Sequence, residues 1–506
     1  MSTKGGDSAF PKPQGPQSGI KTVLQYTGIP PSWLDKRPGL PSRNWLIFLS
    51  LTSAVTGYYL YDRRQCKQIR AEYAAKVQHL AQEPLHSMGF PRKVTVYGCK
   101  WPADEEYDRG LKYFRKYVKP ILVAAAIDYE MINGRRHGDL ADRIANDIKK
   151  RRRLDAGIDE PPFNPMNLPG NNPEAKRARE LEGGIVIIGR PTFKEFMMGF
   201  KRGWTESLEI VDKEEKLSRE LENDGRFDEP EPESSTLLAG EDEPLPTPSK
   251  LTPSFIPPHL QTGARPPPPA QNGQQSIPAN FNTPPATIPP QPPILLVSFL
   301  NHIGFSQIPH MVWEFFNERH KVRSGAEAAY RLVVGETRPM SAPYGFGEVD
   351  PAGVEAFQGE STGAPTDLDF AREDEAWYKP SFVRDFTAEI GKIREEYYAA
   401  LPKKLETARA LARGTREPTK DETNYPPPTE VELRAERMKK ELRWRGDEAG
   451  WDIIRPDAPV AWDERFRNVL RVFVEPSPER EAEFRRQAEE IMSRVAQKER
   501  EQQEQN

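Results

Sequence analysis

The chain has 506 residues, enough for two or three domains, yet its hydrophobic fraction is only 36% and it carries 51 prolines. Part of that length therefore cannot pack into a core. A formal net charge of −4 supplies no basic excess to displace counterions and argues against a nucleic-acid partner. Two cysteines, Cys66 and Cys99, lack C-x-x-C spacing and read as free thiols, and seven histidines contain no His-x-x-x-His pair to hold zinc.

Residues 1–44 form a basic, Gly/Pro/Ser-rich tail, in which Lys4, Lys12, Lys21, Lys36, Arg37 and Arg43 oppose only Asp7 and Asp35. Trp45 to Leu60 then contains no charge. As a helix it covers about 24 Å against a hydrocarbon core of roughly 30 Å. Interfacial Trp45 and the tyrosines at 58, 59 and 61 suit a short span over 45–61, with Arg43, Arg63 and Arg64 reaching outward. Ser50, Ser53, Ala54 and Gly57 fall at i, i+3, i+4 and i+7, a small-residue stripe on which a second membrane helix can pack. Basic residues flank both ends of the span, so charge does not set its direction.

An amphipathic stalk follows over 62–84, with Ile69, Tyr73, Val77 and Leu80 on one face and Pro84 as its stop. Residues 85–227 alternate strand and helix signals. Val94–Gly98 reads as a strand, and Asp104 as the cap of a helix carrying Tyr107, Leu111, Phe114 and Val118. The unbroken apolar run Ile121–Ile127 reads as a strand covered on both sides. Asp139 is expected to cap a helix with Leu140, Ile144 and Ile148 on one stripe, Ile185–Ile188 to form a strand, and Thr192–Trp204 a helix. This order predicts an α/β fold with a mostly parallel sheet.

Proline-rich low complexity spans 228–293 and is expected to be a linker. Residues 294–375 resume the sheet, with strands at Ile294–Phe299 and Tyr330–Val334. Between them Pro309 starts a helix bearing Met311, Val312, Phe315 and Phe316. The region 376–506 is helix-rich. One long helix carries Phe382, Phe386, Ile390, Ile393, Tyr397 and Leu401 until Pro402 kinks or ends it, and a second carries Val431, Ala435, Met438 and Leu442. Val469–Val474 is the last strand expected, before a charged helix with Phe484, Ile491 and Val495.

Chemistry is sparse. Gly183-Gly-Ile-Val-Ile-Ile-Gly-Arg-Pro-Thr192 is a strand feeding a turn and a helix whose amides suit phosphate, but it lacks the spacing of either nucleotide-binding glycine motif. Lys149, Lys150, Arg151, Arg152 and Arg153 close a helix, and offer a candidate patch for anionic lipid headgroups, cardiolipin included, as well as a solvated helix end. No nucleophile or acid–base constellation stands out, and no cofactor is implied.

Gly138-Asp139-Leu140-Ala141 and Ile185–Thr192 give residues 93–204 a distant resemblance to the nucleotide-binding half of lipid kinases of the diacylglycerol kinase type. That resemblance implies a membrane-tethered lipid-kinase-like or lipid-binding protein. The family's Gly-Gly-Asp-Gly-Thr turn is replaced here by Gly189-Arg190-Pro191-Thr192, so its nucleotide site would be degenerate.

A second resemblance covers most of the chain outside the linker. Pro31-Ser-Trp-Leu-Asp-Lys-Arg-Pro-Gly-Leu-Pro-Ser-Arg-Asn-Trp-Leu46 leads into the span, and Tyr61-Asp-Arg-Arg64 leaves it. Lys93–Gly98, Val118–Ile132 and Arg143–Arg153 then follow in order. These stretches resemble the fungal fifty-four-kilodalton Tim family of the mitochondrial carrier translocase. The resemblance implies a non-catalytic scaffold, single-pass in the mitochondrial inner membrane, with a matrix-side N-terminus and its bulk in the intermembrane space. The partners it implies are the channel-forming translocase subunit, the small Tim chaperones and an inner-membrane ATP-dependent protease.

Overall fold

The computed structural model describes residues 42–83, 90–159, 173–209, 212–228, 282–342 and 366–505. The expected tail, Pro84, most of the proline-rich linker and the loops at 343–365 lie outside the described residues. The chain divides into two units, one ending at Arg64 and one beginning at Gln65.

Helix α1, Arg43–Val77, contains the whole of the expected span and the start of the stalk. In the first unit Trp45, Leu46, Ile47, Phe48, Leu49, Leu51, Val55 and Leu60 are all exposed. The hydroxyls of Ser50 and Thr52 donate back to the carbonyls of Ile47 (2.9 Å) and Phe48 (2.7 Å), which removes most of their need for water. Among the described residues no helix is long and apolar enough to cross a membrane. Charges at Arg43 and Asp62 bound the apolar stretch, and its serines, threonines and tyrosines dilute its hydropathy.

The second unit is built on a six-stranded sheet of order β2-β1-β3-β4-β6-β5. Its strands are β1 (Lys93–Gly98), β2 (Asp128–Asn133), β3 (Ile185–Ile188), β4 (Ile294–Val297), β5 (Thr337–Pro339) and β6 (Arg471–Phe473). All neighbours are parallel except β5, which runs antiparallel to β6 on the edge. Period-two alternation splits the central strands between two cores. Val94, Val96, Val186, Ile188, Leu295 and Val297 point to one face, whereas Ile187, Ile294 and Val472 point to the other. Both faces are covered, as parallel sheets require.

On the first face pack α2 (Arg109–Tyr113), a π-helical turn (Phe114–Val118), α3 (Lys119–Ala124) and α9 (Glu318–Val334). Cys66, Ile69 and Val77 of α1 join the same core. On the second face lie α4 (Asp139–Asp155) and α6 (Arg190–Thr205). Gly199 and Gly203 let these two helices touch: a Cβ on Gly199 would lie 2.5 Å from the Ala141 carbonyl oxygen. The remaining helices are α5 (Pro173–Gly183), α7 (Lys213–Glu222), α8 (Ile308–Phe316), α10 (Pro380–Ala412), α11 (Lys420–Asn424), α12 (Glu430–Ile454) and α13 (Pro478–Gln505).

Several expectations need correcting. The apolar runs at 121–127 and 330–334 are not strands. The first closes α3 and the second closes α9, and both are apolar because these helices are buried against the sheet. The strands nearby are the edge strands β2 and β5. Asp104 caps no helix, since α2 begins later, after Asp108; its carboxylate instead accepts from Asn301 Nδ2 at 2.7 Å and faces Arg109 at 3.0 Å. Asp139 is the first residue of α4 rather than its cap, which is Gly138 in the left-handed region. Pro402 sits inside α10 and does not end it. In α12 the buried stripe is Leu433, Arg437, Glu441 and Trp444, while Val431 is 76% exposed. The end of the proline-rich stretch also packs, with Ile288 buried in the second core. The strand expected at Val469–Val474 is present as β6, by which the C-terminal region joins the sheet.

Candidate functional site

In a doubly wound sheet, ligands bind at the carboxyl ends of two neighbouring strands whose connections leave in opposite directions. Strands β1 and β3 are that pair here: β1 leads to β2 on one side, and β3 to β4 on the other. The turn after β3 uses Gly189 at φ +80° and opens α6 with Arg190-Pro191-Thr192. This is where the sequence placed its weak phosphate candidate, and the chain fills it with its own groups. Arg190 Nε meets Glu375 at 2.9 Å, and its Nη1 donates to the carbonyls of Leu368 (2.5 Å) and Phe370 (3.0 Å). Lys194, one turn further on, meets Glu375 at 2.6 Å and donates to the Arg455 carbonyl at 2.7 Å. Burial lowers the Lys194 pKa despite the opposing pull of Glu375. Thr192 Oγ1 accepts from the Cys99 amide (3.1 Å) and donates to the Ile188 carbonyl (2.6 Å). Burial pushes the Cys99 thiol well up and the Asp374 carboxyl up to about 6. Trp101 closes the mouth edge-to-face on Phe299 (5.6 Å) and Tyr378 (5.2 Å). The arrangement is a buried ion cluster that fastens residues 368–378 and Arg455 onto α6.

Beside it, Glu195 accepts from the Leu140 amide at 3.1 Å, so α6 supplies a carboxyl to the N-terminus of α4. Burial raises its pKa to about 8, and burial also lowers His137 to about 3. Glu195 thus holds a proton through neutral pH that the unfolded chain has released above its ordinary value of 4.5, so its contribution is full below 4.5 and is lost as pH rises to about 8. His137 has the opposite sign: the unfolded chain gains a proton below 6.5 while the folded one does not until about 3, so stability falls as pH falls. The two slopes cancel between 4.5 and 6.5, which leaves an alkaline arm of about 2 kcal/mol from 6.5 to 8. Denaturant unfolding of the detergent-solubilised chain across this range should show the arm, and Glu195→Gln should remove it. An unchanged slope in that variant would refute the assignment.

The basic run is divided among partners. Lys149 meets Glu206 at 2.6 Å, Arg151 meets Glu180 at 3.0 Å, and Arg153 meets Asp159 at 2.6 Å. Arg152 is buried and donates to the carbonyls of Gly203 (2.7 Å) and Glu206 (3.1 Å), at the C-terminal end of α6. Lys150 alone stands well out, its side chain 73% exposed and 4.0 Å from Asp147. Lys149 and Arg152 thus tie α4 to the end of α6, whereas Arg151 pairs with α5 and Arg153 with the segment that follows α4. The small-residue stripe, by contrast, is open: Ser50, Ser53, Ala54 and Gly57 are exposed, and nothing lies within 4 Å of where a Gly57 Cβ would be.

The helix expected to bear Met311, Val312, Phe315 and Phe316 is α8, and it lies at the surface. None of the residues of α8 is buried. Ile308, Met311, Val312 and Trp313 are exposed, and Phe305 just before the helix is 92% exposed. Its two polar residues, exposed His310 and half-buried Glu314, make contacts with the rest of the fold. His310 stacks with His302 (5.6 Å) and meets Trp377 (4.7 Å), while Glu314 lies 3.3 Å from His302 Nε2 and 2.7 Å from Lys321 Nζ. A surface helix usually buries its apolar stripe; here no residue of the helix is buried. Its wheel carried the signal, because His310 and Glu314 are the only polar residues in Ile308–Phe316.

Comparison with known proteins agrees with the second resemblance. The family model described as inner membrane protein import complex subunit Tim54 matches residues 21–399. The mitochondrial import inner membrane translocase subunit TIM54 of Cryptococcus neoformans is 37% identical over 465 residues, covering 91% of this chain and 95% of that protein. The corresponding subunit of Aspergillus oryzae is 31% identical over 62% of this chain and 71% of its own length, and that of Candida albicans 26% over 63% and 84%. A match of this extent shows that the chain belongs to the Tim54 family, subunits of the mitochondrial inner-membrane protein import complex.

Proposed function

We propose that the chain is a structural scaffold of the translocase that inserts multispanning carrier proteins, stabilising the channel-forming subunit and docking the small Tim chaperones. The observation that carries this reading is the filled crevice. Where an α/β enzyme of this topology holds its ligand, Arg190, Lys194 and Glu375 tie the fold together. The same observation weighs against a working lipid-kinase site, since the helix N-terminus that would meet phosphate is buried and Pro191 offers no amide there.

In this reading Trp45–Leu60 is a short anchor in the inner membrane. The stretch carries no charge, and its large apolar side chains are exposed rather than in a core, which leaves a bilayer to cover them. Tilt is not required; local thinning and outward-reaching arginines accommodate the missing length. Residues 1–44 lie on the matrix side, the second unit lies in the intermembrane space, and an ATP-dependent protease of the inner membrane is a further partner.

Ser53→Leu with Gly57→Leu tests the anchor as a docking element. Both positions are exposed, so the fold tolerates the added bulk and the span becomes more apolar. The variant should stay in the carbonate pellet but run below the translocase complex on a native gel. Retention in the complex would discard the stripe as an interface. Protease added to mitochondria with ruptured outer membranes should digest the second unit, and protection there would reverse the topology.

A further inference from the structure

We infer that His302 is a protonation-dependent latch for α8: with protons on both ring nitrogens it bridges Gln307 and Glu314, and loss of the second proton releases the helix. The inference goes beyond the scaffold reading and does not rest on it.

The hydrogen-bond set fixes the first proton. Gln307 Nε2 donates to the Trp377 carbonyl at 3.0 Å, and Gln307 Oε1 accepts from the Ile303 amide at 2.9 Å. Exchanging the oxygen and nitrogen of that amide would break both bonds, setting donor against donor and acceptor against acceptor. Gln307 Oε1 is therefore an acceptor, and His302 Nδ1, 3.2 Å away, must donate to it. The other ring nitrogen, Nε2, stands 3.3 Å from Glu314 Oε1. A neutral ring protonated at Nδ1 would turn its Nε2 lone pair toward that carboxylate, and only the imidazolium makes the contact attractive. His302 is buried, whereas α8 contributes no buried side chain of its own, so its polar fastenings matter to its docking.

The surrounding charges leave this logic intact. On α8, exposed His310 stacks on the same ring at 5.6 Å. On α9, Lys321 Nζ lies 2.7 Å from Glu314 Oε2, so the carboxylate stands between two nitrogens, while Glu318 is held by Lys116 at 2.5 Å and His320 is exposed. On the turn Arg372–Trp377, Trp377 packs on the His302 ring at 4.8 Å, Arg372 and Glu373 are exposed, and Asp374 accepts from Ser298 Oγ at 3.4 Å. Next to His302, Asn301 donates to Asp104 (2.7 Å) and accepts from Arg109 (3.3 Å). Burial pushes Asp374 up to about 6, which gives it the same sign as the latch. The docked helix holds a proton that the released one gives up, so docking weakens as pH rises.

Hydrogen–deuterium exchange of the full-length chain in detergent measures the opening, read in peptides covering 305–316 relative to those of α10 and corrected for the intrinsic pH dependence of exchange. Protection of α8 should fall about tenfold between about pH 5.5 and about pH 7.5, a range that spans imidazole titration. Glu314→Gln should abolish the fall with the helix still docked at the higher pH, because the new amide donates to a neutral Nε2. His302→Gln should leave α8 poorly protected at both pH values. Protection independent of pH in the wild-type chain would overturn the latch. So would a fall that persists in both variants, which would assign it to Asp374. A helix released at both pH values in Glu314→Gln would mean that the pair with Lys321 holds it, and would overturn the latch as well.

Discussion

Glu375→Leu is expected to destabilise the folded chain by about 3–5 kcal/mol, the range for removing one partner from a buried ion cluster. Glu375 is the single carboxylate that both Arg190 Nε (2.9 Å) and Lys194 Nζ (2.6 Å) reach, and all three side chains are buried. Arg190 keeps two carbonyl acceptors and Lys194 keeps the Arg455 carbonyl, but neither keeps a countercharge of that proximity. The loss should be pH-dependent in a specific direction. Burial already lowers the Lys194 pKa, and without Glu375 it falls further. The folded state then holds fewer protons than the unfolded state in the range below 10.5, so the variant gains stability relative to wild type as pH rises. Adding Lys194→Met should recover part of the loss at neutral pH, because an apolar side chain of similar length needs no countercharge. Denaturant unfolding of the three chains across pH measures both effects. A neutral-pH loss below about 1 kcal/mol would mean that water or residues 368–378 rearrange to solvate the cations.

Gly450→Ala is the second large effect, and it arises from one methyl group. The last turns of α12 cross the loop that starts α4 so closely that a Cβ on Gly450 would lie 2.0 Å from the His137 carbonyl oxygen and 2.2 Å from its carbon. Both are backbone atoms, so no flexible side chain can move aside. Helix α12 must lift, and Trp451, Ile453 and Ile454 lose their seat on Ala141. Overpacking typically costs about 1–3 kcal/mol, and the backbone contact places this variant at the upper end. Thermal unfolding should show the loss, and limited proteolysis should cut earlier in α12. Gly446→Ala is the control: it lies on the same helix with nothing within 4 Å of its Cβ, and should be slightly stabilising. Equal behaviour of the two variants would remove the steric argument.

The strands legible in the sequence were those near the middle of the sheet. Lys93–Gly98 and Ile185–Ile188 alternate between two apolar faces within short runs bounded by glycine, and Ile294–Val297 follows proline; central strands covered on both sides produce such runs. The misreadings share a cause. The runs at 121–127 and 330–334 are as apolar as a central strand because α3 and α9 are buried against the sheet, and over five to seven residues periodicity cannot separate the two. The edge strands β2 and β5 are polar or very short, as edges tend to be, and so gave no signal. The stripe of α12 was misplaced because two of its buried positions are charged. Arg437 pairs with Asp224 and Glu441 accepts from Tyr398 at 2.7 Å, partners 213 and 43 residues away along the chain. In α10, Pro402 is exposed while Leu401 and Leu405 beside it are buried, so packing holds the helix across the break that the sequence suggested.

By itself the sequence determined the family, the α/β class, the uncharged stretch at Trp45–Leu60 and its small-residue stripe, because composition, order and local spacing are properties of neighbouring residues. Tertiary structure alone decided what becomes of the charged and apolar groups. It placed Glu375 on Arg190 and Lys194 from nearly two hundred residues away, closing the crevice that Gly189–Thr192 opened in the sequence. It divided the basic run at 149–153 among Glu206, Glu180, Asp159 and the end of α6. It also left α8 at the surface, where His302, Lys321 and Trp377 meet its two polar residues. A side chain's electrostatic partners are fixed by chain crossings, and no local pattern encodes those.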